Sequence, residues 1–265
     1  MWNNVLLTGA AGRIGSHLRT RLAGHFPLLR VTDRQELGPA REGEEILVGD
    51  MADPTHVARA VEGIDAVLHF AGMSGIHSFD ALLPANVLAM HHLYNEARRA
   101  GVRRVIFASS SHVTGFYPRG ETVDPGMPVR PDTLYGVTKV FGEAFARFAF
   151  DKFGIETLCI RIGSCFPEPT NTRMKTTWLS RDDLVRMVLA GLDEPELGFR
   201  IVYGASANQT SFWPRASETL PGYQPQDSAD TFKGLSVTPE DPDAARYQGG
   251  HFATAPMPED STDSL

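Results

Sequence analysis

Val5-Leu6-Leu7-Thr8-Gly9-Ala10-Ala11-Gly12-Arg13-Ile14-Gly15 decides the fold. An apolar run that reads as a buried strand passes directly into three spaced glycines, and the residues behind them, Ile14, Leu18 and Leu22, recur at helical spacing. Glycine at positions 9, 12 and 15 permits a tight turn, close approach of the backbone to a pyrophosphate, and close packing of helix on strand. The N-terminus of that helix turns unpaired N–H groups and a positive dipole end toward phosphates, so Arg13 and Ile14 fall in the loop that would touch a dinucleotide. A glycine pattern alone also fits an ordinary turn, and its place between strand and helix is what separates the two readings.

Outward from this loop the chain alternates strand-like and helix-like stretches. Apolar runs at residues 28–32, 45–48, 66–70, 104–108 and 157–162 read as further strands. Helical patterns occupy residues 54–61 and 85–100, and Pro131 opens a long helix whose apolar residues Val137, Phe141, Ala144 and Phe148 share one face. The order predicts an α/β fold, a Rossmann-type doubly wound parallel sheet of six strands. Residues 181–192 read as another helix and 200–203 as strand-like. With no internal repeat and no linker, residues 1–265 form a single Rossmann-type domain; roughly 165–237 supply a small substrate-binding cap, and 238–265, rich in Pro, Asp and Gly, an extended C-terminal tail.

The 265 residues are long enough for a large core, and 42% hydrophobic with 22% charged residues argues against disorder. A formal charge of -7 argues against a nucleic-acid partner. No apolar run is long enough to span a bilayer, and the N-terminal residues lack a signal-peptide pattern, so no membrane association is expected. Two cysteines, Cys159 and Cys165, do not make a disulfide framework, which points to the reducing cytoplasm. His91 and His92 diverge on a helix and no carboxylate or thiol set accompanies them, so no metal is expected.

Asp33 ends the second strand, where a carboxylate accepts hydrogen bonds from ribose hydroxyls and repels a 2′-phosphate; this favours NAD. The neighbouring Arg34 would suit NADP instead, or simply face solvent. Asp50, followed by Met51 at the end of the third strand, can bond an adenine amine or cap its own loop.

Tyr135 and Lys139 stand one helical turn apart and so share a face. A tyrosine with a pKa of about 10 needs about 4 kcal/mol of phenolate stabilisation to act as a base at about pH 7. The Lys139 ammonium and the cationic nicotinamide ring both supply it. Ser109-Ser110-Ser111 follows the fifth strand at the carboxyl edge of the sheet, where ligands of this fold bind.

In that order, Gly-x-x-Gly-x-x-Gly, Asp33 and Asp50, His69-Phe70-Ala71-Gly72, Asn86, Ser109-Ser110 and Tyr-x-x-x-Lys make the chain resemble the extended short-chain dehydrogenase/reductases. Ala108-Ser109-Ser110-Ser111-His112, Arg161-Ile162-Gly163-Ser164-Cys165, Pro167-Glu168-Pro169 and Tyr203-Gly204-Ala205-Ser206-Ala207-Asn208 are similar to the uronic-acid-oxidising members of that family along essentially the whole chain. The resemblance implies oxidation of the C1 hydroxyl of pyranose D-galacturonate or D-glucuronate to the aldaro-lactone, with hydride passing to NAD.

By the same resemblance Tyr135 is the general base, Ser110 orients the reacting oxygen, and Lys139 lowers the Tyr135 pKa and holds the nicotinamide ribose. Met51, Phe70, Ala71 and Gly72 join the cofactor contacts. Ser74, Ser111 and Ser164 would bond sugar hydroxyls with His112 beside them, and Arg173 would bind the sugar carboxylate, for which a planar guanidinium is suited. Ser111 stands where the family has Asn, and a hydroxyl replaces only one of two amide hydrogen bonds. A homo-oligomer is expected. The alternatives are a nucleotide-sugar epimerase or dehydratase, which would need a larger C-terminal region, and a dinucleotide-sensing regulator.

Overall fold

The computed structural model describes residues 2–234 and 238–258. Its strands are β1 (Asn4–Thr8), β2 (Leu28–Asp33), β3 (Glu44–Val48), β4 (Ala66–His69), β5 (Arg104–Ser110), β6 (Glu156–Ile162) and β7 (Phe199–Gly204). All pair in parallel, in the order β3-β2-β1-β4-β5-β6-β7. The sheet therefore has seven strands and not six: residues 200–203 join it, with Ile160 registered on Val202. Helices α1 (Gly15–Arg21), α2 (Pro54–Val61), α3 (Phe79–Leu82), α4 (Ala89–Ala100), α5 (Leu134–Phe153), α6 (Met174–Thr177) and α7 (Arg181–Asp193) follow the strands in chain order. None of the described helices is long and apolar enough to cross a membrane.

Two apolar layers cover the two faces. One joins Leu18 and Leu22 of α1 to Leu184 and Val188 of α7; the other joins Val57 of α2 to Leu93 of α4 and Ala146 of α5. The strand order reverses between β1 and β4, so the carboxyl ends of these strands border the crevice where this fold accepts ligands.

The helix expected at 85–100 begins earlier, at Ser78, whose hydroxyl accepts from the Ala81 N–H, and it passes through a π turn at Leu83–Leu88. Pro84 lies inside that turn, where its missing N–H and its ring disfavour regular α pairing. The long helix starts at Leu134, three residues after Pro131, because the Thr133 side chain caps it by accepting from Gly136 N–H at 3.0 Å.

Three of its four stripe residues face outward, Val137 at 45% and Phe148 at 50% exposure and Ala144 exposed too, while Phe141 packs against the core. The inward face carries Gly136, Lys139, Gly142, Glu143 and Ala146. Gly142 lies against the Phe107 ring, where a Cβ would come within 2.6 Å, and Glu143 pairs with Arg161 of β6. Small size and charge pairing, not hydrophobicity, thus set the orientation of this helix. Residues 238–258 fold back over the carboxyl edge through short 3-10 turns at Ala244–Arg246 and Gly250–Ala253 and do not trail away as an extended tail.

Candidate active site

At the β1–α1 turn Gly9 has φ +71°, and a Cβ there would lie 2.6 Å from the Ala71 nitrogen; one on Gly15 would lie 1.9 Å from the Gly9 carbonyl oxygen. Only glycine fits at both points, and the cleared space is where a pyrophosphate meets the N-terminus of α1. Asp33 accepts from the Ala11 N–H at 3.0 Å and from the Gln35 N–H at 3.0 Å, which fixes its carboxylate beside the glycine loop. Asp33, Arg34, Asp50, Met51, Phe70, Ala71 and Gly72 border one pocket of about 300 Å³ with Gly9 and Gly12. Asp50 also caps its loop by accepting from Ala52 N–H. The glycine cradle and the carboxylate at its end fit an adenosine diphosphate moiety.

A second cavity of about 860 Å³ continues from the same loop past Arg13, Ile14 and Gly15 to Ser74, Ser110, His112, Tyr135, Lys139, Ser164 and Arg173. α5 carries Tyr135 and Lys139 on its inward face. Lys139 Nζ donates to the Ala108 carbonyl at 2.7 Å, tying the helix to the end of β5. Tyr135 and Ser110 border the same cavity, and the Ser110 hydroxyl favours the Tyr135 phenolate. Burial pushes the Tyr135 phenol up to about 12 and the Lys139 ammonium down to about 8, with Glu143 opposing the latter. In the protein alone, then, the surroundings disfavour phenolate, contrary to the need read from the sequence; a cationic ring in the cavity would act in the opposite sense.

Asn86, in the π turn, holds the loop after β4 by accepting from Met73 N–H and donating to the Met73 carbonyl and to Thr138 Oγ1. Below the catalytic strand, Glu143 accepts both Nε and Nη2 of Arg161 at 2.9 Å and the Ser109 hydroxyl at 2.6 Å. This buried network locks β5, α5 and β6 together directly beneath Ser110.

Farther out, His112 Nδ1 lies 2.9 Å from Asp132, whose side chain is fully buried. Arg173 is only 8% exposed, and burial pulls its pKa down to about 10. Its Nε donates to the Gln248 carbonyl at 2.5 Å and its Nη1 to Ser164 Oγ at 3.3 Å. Among the described residues no carboxylate forms an ion pair with it. Asp132 and Glu240 favour its charge from beyond ion-pair distance, and a buried guanidinium with no direct ion pair, on the wall of a cavity, is matched by an anionic ligand.

The model of the NAD dependent epimerase/dehydratase family matches residues 5–183. The chain belongs to this family. It is 46% identical to the uronate dehydrogenase of Pseudomonas putida over 96% of this chain and 97% of that protein. The crystal structure of uronate dehydrogenase from Agrobacterium tumefaciens superposes with a TM-score of 0.92 at 43% identity, covering 96% of this chain and 98% of the other. A tyrosine-to-alanine mutant of that enzyme, complexed with NAD, gives a TM-score of 0.92 at 42% identity over 96% and 98% of the two chains.

Within this epimerase/dehydratase-type site the structure brings together every residue singled out from the sequence except Ser111. That residue opens the 3-10 turn Ser111–Thr114, is buried, and does not border either cavity. The extended strand conformation ends at Ser110, and the turn that follows withdraws the next side chain. Several wall residues went unread in the sequence, among them Phe166, Asn171, Glu240, His251 and Phe252. Arg13 stacks its guanidinium 4.1 Å from the Phe166 ring centroid and so joins the glycine loop to the substrate side.

Proposed function

We propose that this protein oxidises the C1 hydroxyl of pyranose D-galacturonate and D-glucuronate to the aldaro-lactone with NAD as hydride acceptor. The observation that carries the reading is Arg173, a buried cation that makes no direct ion pair among the described residues and lies in the same cavity as Tyr135, Lys139 and Ser110. The resemblance along nearly the whole chain to uronate dehydrogenases supports it.

Tyr135 takes the proton of the C1 hydroxyl, Ser110 holds the oxygen that becomes the lactone carbonyl, and Lys139 stabilises the phenolate. NAD, when bound, supplies the hydride acceptor and a cationic ring that favours the phenolate. Gly9, Gly12, Arg13, Ile14 and Gly15 would hold its phosphates, and Asp33, Asp50 and Met51 its adenosine half. Phe70, Ala71 and Gly72 would border its far ribose. Ser74, His112 and Ser164 meet sugar hydroxyls, and Arg173 the carboxylate; the ligand-free fold gives Ser111 no such contact. The cap that holds the sugar is formed by the chain around 164–178, 205–234 and 238–252, at the sheet edge of one Rossmann-type domain.

Absorbance of reduced nicotinamide tests the reading directly. Galacturonate and glucuronate should reduce NAD rapidly, galactose and glucose only slowly, and uridine-diphosphate sugars not at all; turnover only of the nucleotide sugars would replace the proposal with the epimerase or dehydratase reading. Asp33→Ala should raise the NADP-to-NAD ratio of kcat/KM by about tenfold or more. An unchanged ratio would move cofactor choice to another residue.

The outward stripe of α5, Val137, Phe148 and Phe153, lies beside exposed Leu88 next to α4, and this face suits a second copy of the chain. Sedimentation at micromolar concentration should show an oligomer that Phe148→Glu dissociates; a monomeric wild type would refute it. Both thiols are buried and burial raises both pKa values, so they fit a reducing cytoplasm, which cell fractionation would check.

A further inference from the structure

The segment from Thr238 to Phe252 lies beyond the sheet, yet it walls the substrate end of the larger cavity. It is held at three points. Arg119 grips Glu240 through Nη1 and Nη2 at 2.8 and 2.6 Å and reaches the Tyr247 carbonyl through Nε at 2.9 Å. Gln248, 2% exposed, donates to the Pro118 and Glu121 carbonyls and accepts from Trp213 Nε1 at 3.0 Å. Its N–H donates to the Tyr117 carbonyl at 2.9 Å.

These anchors hold two glycines against two buried charged side chains. A Cβ on Gly249 would lie 1.7 Å from Asp132 Oδ2, and one on Gly250, which has φ +63°, would lie 2.8 Å from Arg173 Cδ and 2.9 Å from Glu240 Oε1. Arg173 Nε donates to the Gln248 carbonyl immediately before them. Arginine has four side-chain torsions, and a guanidinium serves as a fork for a carboxylate only when those torsions are held. The carbonyl at 248 and the missing side chain at 250 hold them here.

We propose that Gly249-Gly250 and the Gln248 carbonyl form a positioning element for substrate choice: they seat Arg173 in the orientation that meets a substrate carboxylate. This rests on the reading of Arg173 as the carboxylate contact. The segment thus acts on the anionic end of the sugar, while Tyr135, Lys139 and Ser110 act on C1.

The test compares Gly250→Ala, Arg173→Ala and the double variant with galacturonate and with galactose. In Gly250→Ala a methyl group displaces Arg173, and KM for galacturonate should rise by about tenfold or more, since small misplacements of a positioned group have effects of this size. kcat/KM for galactose and the NAD dissociation constant should stay within about twofold. In the double variant, the Gly250 substitution should add nothing to the loss from Arg173→Ala.

If Arg173→Ala itself spares galacturonate selectively, the carboxylate reading fails. If that variant behaves as expected but Gly250→Ala leaves the galacturonate KM unchanged, impairs both sugars equally, or acts fully without Arg173, the positioning role fails. Hydrogen exchange on the wild-type protein covers the case of a variant that does not fold. With reduced cofactor bound, galacturonate should slow amide exchange across residues 239–252 and galactose should not; equal protection by both sugars, or none by either, would overturn the proposal.

Discussion

Tyr135→Phe should bind NAD normally and lose uronate turnover, with kcat lower by about 10³–10⁴-fold. The substitution removes one oxygen and leaves the ring, its helix and the Lys139 contact to the Ala108 carbonyl in place. His112, whose Nδ1 is engaged by Asp132, has its ring centroid 6.1 Å from that of Tyr135 and so does not occupy the place of the phenol oxygen. The Ser110 hydroxyl is far too weak an acid to work as a phenolate does. The phenol sits at about 12 in the protein alone because burial dominates, so its proton becomes transferable only in the presence of positive charge. Arg13 acts in that direction, and the Lys139 ammonium lies 5.6 Å from the Tyr135 ring centroid. NAD titration followed by protein fluorescence, together with single-turnover reduction of the cofactor, separates binding from chemistry. Turnover within about tenfold of wild type would remove Tyr135 from the proton-transfer step.

Local chemistry made most of the core legible. The glycine loop is recognisable because its spacing is local, with Gly15 packed against the Gly9 carbonyl, although the crowding of Gly9 itself comes from Phe70 and Ala71 on another strand end. The Tyr135–Lys139 pair follows from helical spacing alone, and β-α alternation sets the parallel sheet. The failures share a different cause. The inward face of α5 was hidden because Glu143 is paid for by Arg161, a residue on another strand, and because Gly142 accommodates Phe107; neither partner is visible from helix periodicity. Residues 238–265 read as a tail since their composition is rich in Pro, Asp and Gly, yet Arg119 and Trp213 hold the segment 238–258 from distant parts of the chain, and 259–265 lie outside the described residues. The site wall built from Glu240, His251 and Phe252 was lost with them.

Arg173 gives the other large effect, and its two readouts should move in different directions. Arg173→Ala removes two potential charged hydrogen bonds to the substrate carboxylate, each contributing about 1.5–3 kcal/mol, so kcat/KM for uronates should fall by about 10²–10³-fold or more. Neutral sugars, lacking the carboxylate, should be little affected. Stability follows another rule. Burial lowers the Arg173 pKa from 12.5 to about 10, which corresponds to about 3 kcal/mol of cost for holding the cation in the empty cavity. Arg173→Met relieves that cost and fills similar space, while the Gln248 carbonyl it leaves unpaired costs about 1–3 kcal/mol. The two nearly cancel, so the melting temperature of the ligand-free Met variant should not fall appreciably. A uronate should then raise the melting temperature of the wild type by mass action and leave that of the variant unchanged. Were Arg173 a structural residue, the order would invert: the variant would melt well below wild type, and uronate and neutral sugar would lose activity together. The melting shift with uronate therefore measures directly how far an anionic substrate offsets the cost of burying this cation.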